Sequence, residues 1–513
     1  MEKAGPGDRS SIPGLIEHWP GAEEAPDDAE LAVRRRPRFS DAVSVEEAAE
    51  RLVERVEPDA ALSLPPGPRR PAQAQAMAWL LRPVPFMEQA RRRYGKVFLA
   101  RLGPEHNVVF LSDPALAEAV LTGDSDLLRT GDINGIFRRI IGPNSILLQD
   151  GEEHMRRRRL LLPAFHGASL RRFESAMERA AEDEIATWPV GRPFSALPRI
   201  HRISTEVVMR AIFGDRDEDA PEAVREVLPR FLELCRTPAV FIPWLRRELR
   251  GRSPWGRLLS SIRELDEVLL EQIRRRRMIE ELDTRPERFR QRRTSDDLDS
   301  RPDLLSQLVL ARDEEGEGLS DGEIRDELVT LLVAGHETTS GAIAFAIEQI
   351  VQHPRVLDRL EAAISGREEP YLDAVVKESL RRRPVLPIVG RKLTARARLG
   401  DYVLPEGTVL MPCVYLMHHE PDIYPNPDEF DPERFLSGSV GTYSWIPFGG
   451  GIRRCAGAAF ATLEMKVVLR TVFGRLSVRA AAGPESPVRR SVSLAPRRGA
   501  EIIVEPLQGV VAP

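Results

Sequence analysis

The segment Phe448-Gly449-Gly450-Gly451-Ile452-Arg453-Arg454-Cys455-Ala456-Gly457 restricts this chain more than any other stretch. Three consecutive glycines permit backbone conformations closed to other residues, so the main chain can lie close against a flat cofactor. Arg453, two residues ahead of the cysteine, can reach a carboxylate on such a cofactor. After Cys455 the run Ala456-Gly457-Ala458-Ala459-Phe460-Ala461 turns helical. The sulfur then sits at a helix start, where free N–H groups and the dipole favour the thiolate, the form that binds metals. A lone cysteine beside a glycine turn is ordinarily a core residue. Here five positions of Phe-x-x-Gly-x-Arg-x-Cys-x-Gly match together. Cys235 and Cys413 have no such setting and read as core.

An odd, sparse set of three cysteines excludes a disulfide framework and fits a reducing compartment. The net charge of -5 argues against a nucleic-acid binder, which needs a dominant basic surface. The best apolar run, Ala76 to Met87, is broken by Arg82, Pro83 and Pro85, so no transmembrane segment is expected there. Glu2, Lys3, Asp8 and Arg9 have no apolar core after them, so no signal peptide is expected either, and a cytoplasmic location is.

The pattern along the chain predicts a mainly α class with a minor β part, in one large domain. Residues 1–63 read as an extension, partly helical or disordered. Ser44 and Glu47 have capping-box spacing, with Val45, Ala48, Ala49, Leu52, Val53 and Val56 on one helical face. Leu64-Pro65-Pro66-Gly67-Pro68 is a stiff boundary. The main domain then spans 64–508, with a tail at 509–513. Two short strands are expected between Phe98 and Leu111, and further β patterns at Leu393–Leu404, Val409–Pro412 and near the C-terminus. The stretch 275–302 is crowded with Arg, Glu and Asp and reads as an exposed connection between helices.

Ser320 and Glu323 form another capping box, opening an apolar helix that can run to Gln352, about 48 Å. Inside it lies Ala334-Gly335-His336-Glu337-Thr338-Thr339, where glycine and hydroxyls can open a local kink. Glu378 and Arg381 share a helix face at i, i+3 in apolar surroundings, and Pro432-Glu433-Arg434-Phe435 lies downstream. His154 and Arg158 share a face at i, i+4.

With these motifs the chain resembles the cytochrome P450 family over roughly residues 64–508. The resemblance implies haem b with Cys455 as axial thiolate and metal ligand, and Phe448, Gly449, Arg453 and Gly457 around the cofactor. His154, Arg158 and Arg391, with Arg453, would clamp the haem propionates. Thr338 and Glu337 match the family's acid–alcohol pair: Thr338 bonds the dioxygen or its water, and Glu337 helps relay protons. Glu378, Arg381 and Arg434 match a buried structural trio behind the cysteine pocket. His336 and Thr339 read as supporting.

The substrate pocket would be lined by Ile133 and Phe137, Ala334, Leu386 and Ile388, and Leu494. Phe241-Ile242-Pro243-Trp244 fits an entrance or core packing equally well. A mostly apolar lining implies a small apolar substrate, hydroxylated or epoxidised with O2 as co-substrate. Electrons would come from a ferredoxin or flavodoxin with a reductase, and the protein would act as a monomer. Arg156, Arg157 and Arg159, pointing away from the haem face, could join Arg454 in a basic patch for an acidic donor. A peroxide-driven or isomerising haem-thiolate enzyme, and a haem-based sensor or carrier, are the alternatives that the acid–alcohol pair disfavours.

Overall fold

A computed structural model describes residues 52–507, apart from 104–106, 215–221, 241, 243–244, 249–250, 284–302 and 439–440. All described residues fall in one compact unit. Helices dominate it, with four small sheets among the described residues. Five helices position the site: α1 (Gly151–Leu161), α2 (Leu197–Phe213), α3 (Asp321–Gln352), α4 (Glu369–Arg382) and α5 (Ala458–Arg475).

The expected capping box at the start of α3 is present. Ser320 Oγ accepts from the Glu323 N–H at 3.3 Å, and the Glu323 carboxylate accepts from the Ser320 N–H at 2.7 Å. Such a cap contributes about 1 kcal/mol. Helix α3 then runs 32 residues through the middle of the apolar core, against α2, α4 and α5. It is long and apolar enough to cross a bilayer by length and composition, but 67% of the relevant window is buried inside the protein, as in a core helix.

The main sheet has five strands: β2 (Val97–Arg101), β3 (Asn107–Leu111), β4 (Leu128–Arg129), β5 (Arg391–Leu393) and β8 (Val409–Pro412), in the order β2-β3-β8-β5-β4. Strand β3 pairs with β2 antiparallel and with β8 parallel, so its apolar run Val108–Leu111 is buried on both faces. A smaller sheet joins β1 (Val53–Arg55), β6 (Ala397–Leu399) and β7 (Tyr402–Leu404). Near the C-terminus, the strands Pro487–Arg490 and Ser493–Pro496 form a hairpin whose second strand packs on α3.

Two sequence expectations need correction. The helix drawn through Val56 does not hold at its end: Val53–Arg55 is a strand, in register with Leu399 to Ala397. At these three residues, backbone pairing against a sheet edge outweighs the helical pattern. Val45, Ala48 and Ala49 lie outside the described residues. The charged stretch from 275 onward is not all connection either. A 30-residue helix, Pro254–Asp283, continues through Arg276 and Arg277, which pair with Asp303 at 2.7 Å and Asp321 at 2.6 Å. The remainder, 284–302, lies outside the described residues.

Candidate active site

The cysteine loop is built on two glycines in the left-handed region, where side chains are disfavoured. Gly449 and Gly451 adopt φ +70° and +62°. A Cβ on Gly451 would stand 1.9 Å from the Leu121 carbonyl oxygen. The loop is closed by the Cys455 N–H, which donates to the Phe448 carbonyl at 3.0 Å. Helix α5 starts at Ala458, with Gly457 as its N-cap. Cys455 lies deep in the protein while its side chain stays accessible. Cys235 and Cys413 are buried in the core.

The electrostatics at the sulfur differ from the simple helix-start expectation. Burial raises the Cys455 thiol and outweighs the Gly457 N–H, Arg158 and Arg454, which all act the other way. The thiolate therefore needs a cation bound to it, as metal ligation supplies.

Four basic side chains converge beside the loop. His154 is buried, with Nδ1 lacking any hydrogen-bond partner. Burial, then Arg453, Arg158 and Arg391, push its pKa down to about 3, so it is neutral. Arg391 is buried and donates to the Gly390 carbonyl at 2.9 Å; burial and Arg453 bring its pKa down to about 10. Arg453 donates to the Ile146 carbonyl at 3.2 Å and pairs with Asp150. Asp150 is the one acid among the described residues seen to ion-pair with these three arginines. A cluster so short of anions, with an orphaned imidazole nitrogen, fits a cofactor carrying two carboxylates.

The remaining arginines of α1 do not form the expected basic patch. Arg157 is 2% exposed and bonds Glu153 and Glu323 at 2.7 Å each. Arg156 pairs with Asp313 at 2.7 Å, and Arg159 with Glu314 at 2.9 Å. The acidic residues Asp313 and Glu314 neutralise the stripe, a long-range pairing invisible in local sequence. A groove of about 1200 Å³ lies along this charged side of α1, on a different helix face from His154 and Arg158.

In the middle of α3, Ala334 is exposed although the helix is otherwise largely buried, which marks the face turned toward the site. Thr338 Oγ1 donates to the Ala334 carbonyl at 2.5 Å and keeps its lone pairs free. Glu337 accepts from Ser493 Oγ at 3.4 Å and lies 3.8 Å from Arg236 Nε. Burial raises its pKa against the pull of Arg236. His336 stacks on His201 at 4.7 Å, and both line a cavity of about 320 Å³ with Arg236. Sequence reasoning missed His201, Arg236 and Ser493 as neighbours of Glu337, because nothing local announces them.

The trio behind the cysteine loop is assembled. Arg381 donates to Glu378 through Nε and Nη2 at 2.7 and 2.8 Å, and both side chains are fully buried. Arg434 Nε reaches Glu378 at 3.2 Å. His418, another residue the sequence did not flag, joins this trio to the loop. Its Nε2 accepts from the Ile446 N–H at 3.0 Å, and Nδ1 bonds the Arg381 carbonyl at 3.1 Å. That pairing requires a neutral ring, and burial, then Arg381, lower its pKa to about 3. As pH falls from about 6.5 toward 3 the unfolded chain takes up this proton and the native protein refuses it, so stability is lost over that window. We expect equilibrium unfolding between pH 7 and 4 to show this loss, and His418→Gln to reduce the slope by one proton; an unchanged slope would contradict the assignment.

Of the expected substrate-facing residues, Ile133, Phe137 and Ile388 pack against the main apolar cluster, and Leu494 lies within it. Leu386 is half-buried outside that cluster. Ile242 is described, but Phe241, Pro243 and Trp244 lie outside the described residues.

Comparison with known proteins identifies the family and the fold. The cytochrome P450 family model matches residues 65–503. A protein assigned as cytochrome P450 135B1 of Mycobacterium tuberculosis is 36% identical over 459 residues, covering 88% of this chain and 93% of its own. Another from the same organism, assigned as cytochrome P450 138, is 35% identical, covering 86% and 96%. The structure of retinoic acid bound cyanobacterial CYP120A1 superposes with a TM-score of 0.74 at 24% identity, over 87% of this chain and all of that one. The chain belongs to the cytochrome P450 family, whose members hold a haem b iron through a cysteine thiolate and use O2.

Proposed function

We propose that Cys455 is the axial ligand of the haem iron and that the protein inserts one oxygen atom from O2 into a small apolar organic substrate. The observation that carries this reading is the convergence beside Cys455 of neutral His154, its Nδ1 unpartnered, with Arg158, Arg391 and Arg453. When bound, the haem supplies the redox chemistry that activates O2. His154, Arg158, Arg391 and Arg453 hold its two carboxylates. Phe448, Gly449 and Gly457 shape the loop beside it. Ile133, Phe137, Ala334, Leu386, Ile388 and Leu494 offer the substrate an apolar setting.

The residues of α3 manage protons. Glu337 is held by Ser493 and Arg236, and burial raises its pKa, so it holds a proton more readily than a free carboxylate and can pass it inward. Thr338, the next residue, presents a hydroxyl that accepts from this direction while donating to Ala334. The cavity reaching His336 brings solvent to within one residue of Glu337. Electrons come from a separate ferredoxin or flavodoxin with its reductase, and the protein works as a cytoplasmic monomer.

The test is turnover with NAD(P)H and surrogate redox proteins, on a substrate chosen by its shift of the Soret band. Turnover supported by peroxide but never by a reductase would overturn the O2-dependent reading. We expect Thr338→Ala to reduce at the normal rate yet convert at least about a hundredfold fewer electrons into product, the low end of what a positioned proton-transfer group contributes. Unchanged coupling would remove Thr338 from the relay.

A further inference from the structure

Asp150 occupies the N-cap of α1, where an aspartate normally caps its own helix. Its backbone has the usual extended cap geometry, φ -128° and ψ 169°, yet the side chain makes no capping hydrogen bond. It reaches elsewhere instead. Oδ1 accepts from the Thr130 N–H and Oδ2 from the Gly131 N–H, each at 3.0 Å. Oδ1 also pairs with Arg453 of the cysteine loop. The approach is close: a Cβ on Gly131 would stand 2.3 Å from the Leu148 carbonyl oxygen and 2.7 Å from Asp150 Oδ2. The carboxylate forgoes the stabilising cap of its own helix and is committed to this cross-chain tie.

What it ties together is informative. Gly131 opens the short helix Gly131–Asn134, and the chain continues through Phe137 to Ile141. This segment carries Ile133 and Phe137, two of the expected substrate-facing residues. Arg453 is one of the cations set to meet a haem carboxylate. The same segment also packs beside Arg391: a Cβ on its neighbour Gly390 would stand 3.1 Å from Ile133 Cδ1. Arg453 also donates to the Ile146 carbonyl, while the Ile146 N–H donates to Glu327 of α3 at 2.8 Å, so the neighbouring backbone is pinned and cannot absorb a shift of Arg453.

We propose that Asp150 is a positioning residue that couples the seating of the haem carboxylate on Arg453 to the placement of the substrate-facing segment Gly131–Ile141. The proposal rests on the reading that Arg453 meets that carboxylate. By reciprocity, a ligand that orders Gly131–Ile141 also tightens the hold on the haem, and loss of the tie weakens both together.

The test uses the full-length, haem-loaded protein with Asp150→Ala and Asp150→Asn. Two azoles probe the distal side by Soret titration: imidazole, which is small, and clotrimazole, whose three aromatic rings extend well beyond the ligating nitrogen. Asp150→Ala is expected to raise the clotrimazole Kd about tenfold, within the usual range of site-to-site coupling, and the imidazole Kd less than about twofold. Hydrogen exchange of the 131–141 amides and haem transfer to apomyoglobin should both speed up. Asp150→Asn keeps a backbone acceptor but loses the charge, so its effects should fall between. Equal weakening of both azoles, or wild-type exchange at 131–141 in both variants, would overturn the proposal. Should Asp150→Ala not load haem, Asp150→Asn decides alone by the same readouts. Failure of the parent reading is separate: the wild-type protein itself would then lack the thiolate signature under carbon monoxide.

Discussion

Replacing Cys455 with serine is expected to abolish the long-wavelength Soret band that reduced, thiolate-ligated haem shows under carbon monoxide, and O2-dependent turnover with it. Serine offers the same shape but a hydroxyl that stays protonated and does not donate charge to iron as a thiolate does. No other sulfur in the described residues can substitute. Cys413 is fully buried, its Sγ donating to Met87 Sδ at 3.8 Å, and burial raises its thiol far above the usual range. Cys235 is buried in the core, its thiol pushed up to about 12, first by burial and then by Glu337. Cys235→Ser and Cys413→Ala should therefore keep the band. A thiolate band surviving in Cys455→Ser, or vanishing only in one of the other two variants, would remove the foundation of the proposed function.

What could be read from the sequence was short-range. The capping box at Ser320 and Glu323 announced α3 because both partners of the cap lie within three residues. The glycine run around Gly449 and Gly451 announced a strained loop because positive φ is a property of single residues. His154 with Arg158, and Glu378 with Arg381, share helix faces at i, i+4 and i, i+3, which spacing alone reveals. The errors and omissions were long-range. Whether Arg156 and Arg159 face water or an acid depends on Asp313 and Glu314, more than 150 positions away. The strand at Val53–Arg55 depends on a partner edge near residue 398. Asp150 stands in none of the motifs read from the sequence, and only its contacts with Thr130, Gly131 and Arg453 show what it holds. His418 sits in no motif, yet one ring bonds both Arg381 and the loop leading to Cys455.

The same reasoning sets the largest expected effect on stability. Arg381→Met should destabilise the protein by about 3–5 kcal/mol, because it strands the Glu378 carboxylate in a fully buried position. Arg434 alone cannot compensate, being 3.2 Å from one oxygen and committed to the Pro425 and Asn426 carbonyls as well. The variant also deprives the His418 and Glu429 carbonyls of their donors at 2.7 and 3.0 Å, which loosens the stretch leading to the cysteine loop. Haem loading should fall with stability. The double variant Glu378→Gln with Arg381→Met removes the stranded charge, so it should recover part of the loss despite altering two residues instead of one. Urea unfolding of the wild type, Arg381→Met, Glu378→Gln and the double variant measures this directly. If the double variant is as unstable as the sum of the two single ones, the cost lies in lost contacts and not in an uncompensated charge, and the trio is then a packing unit whose ionic character is incidental.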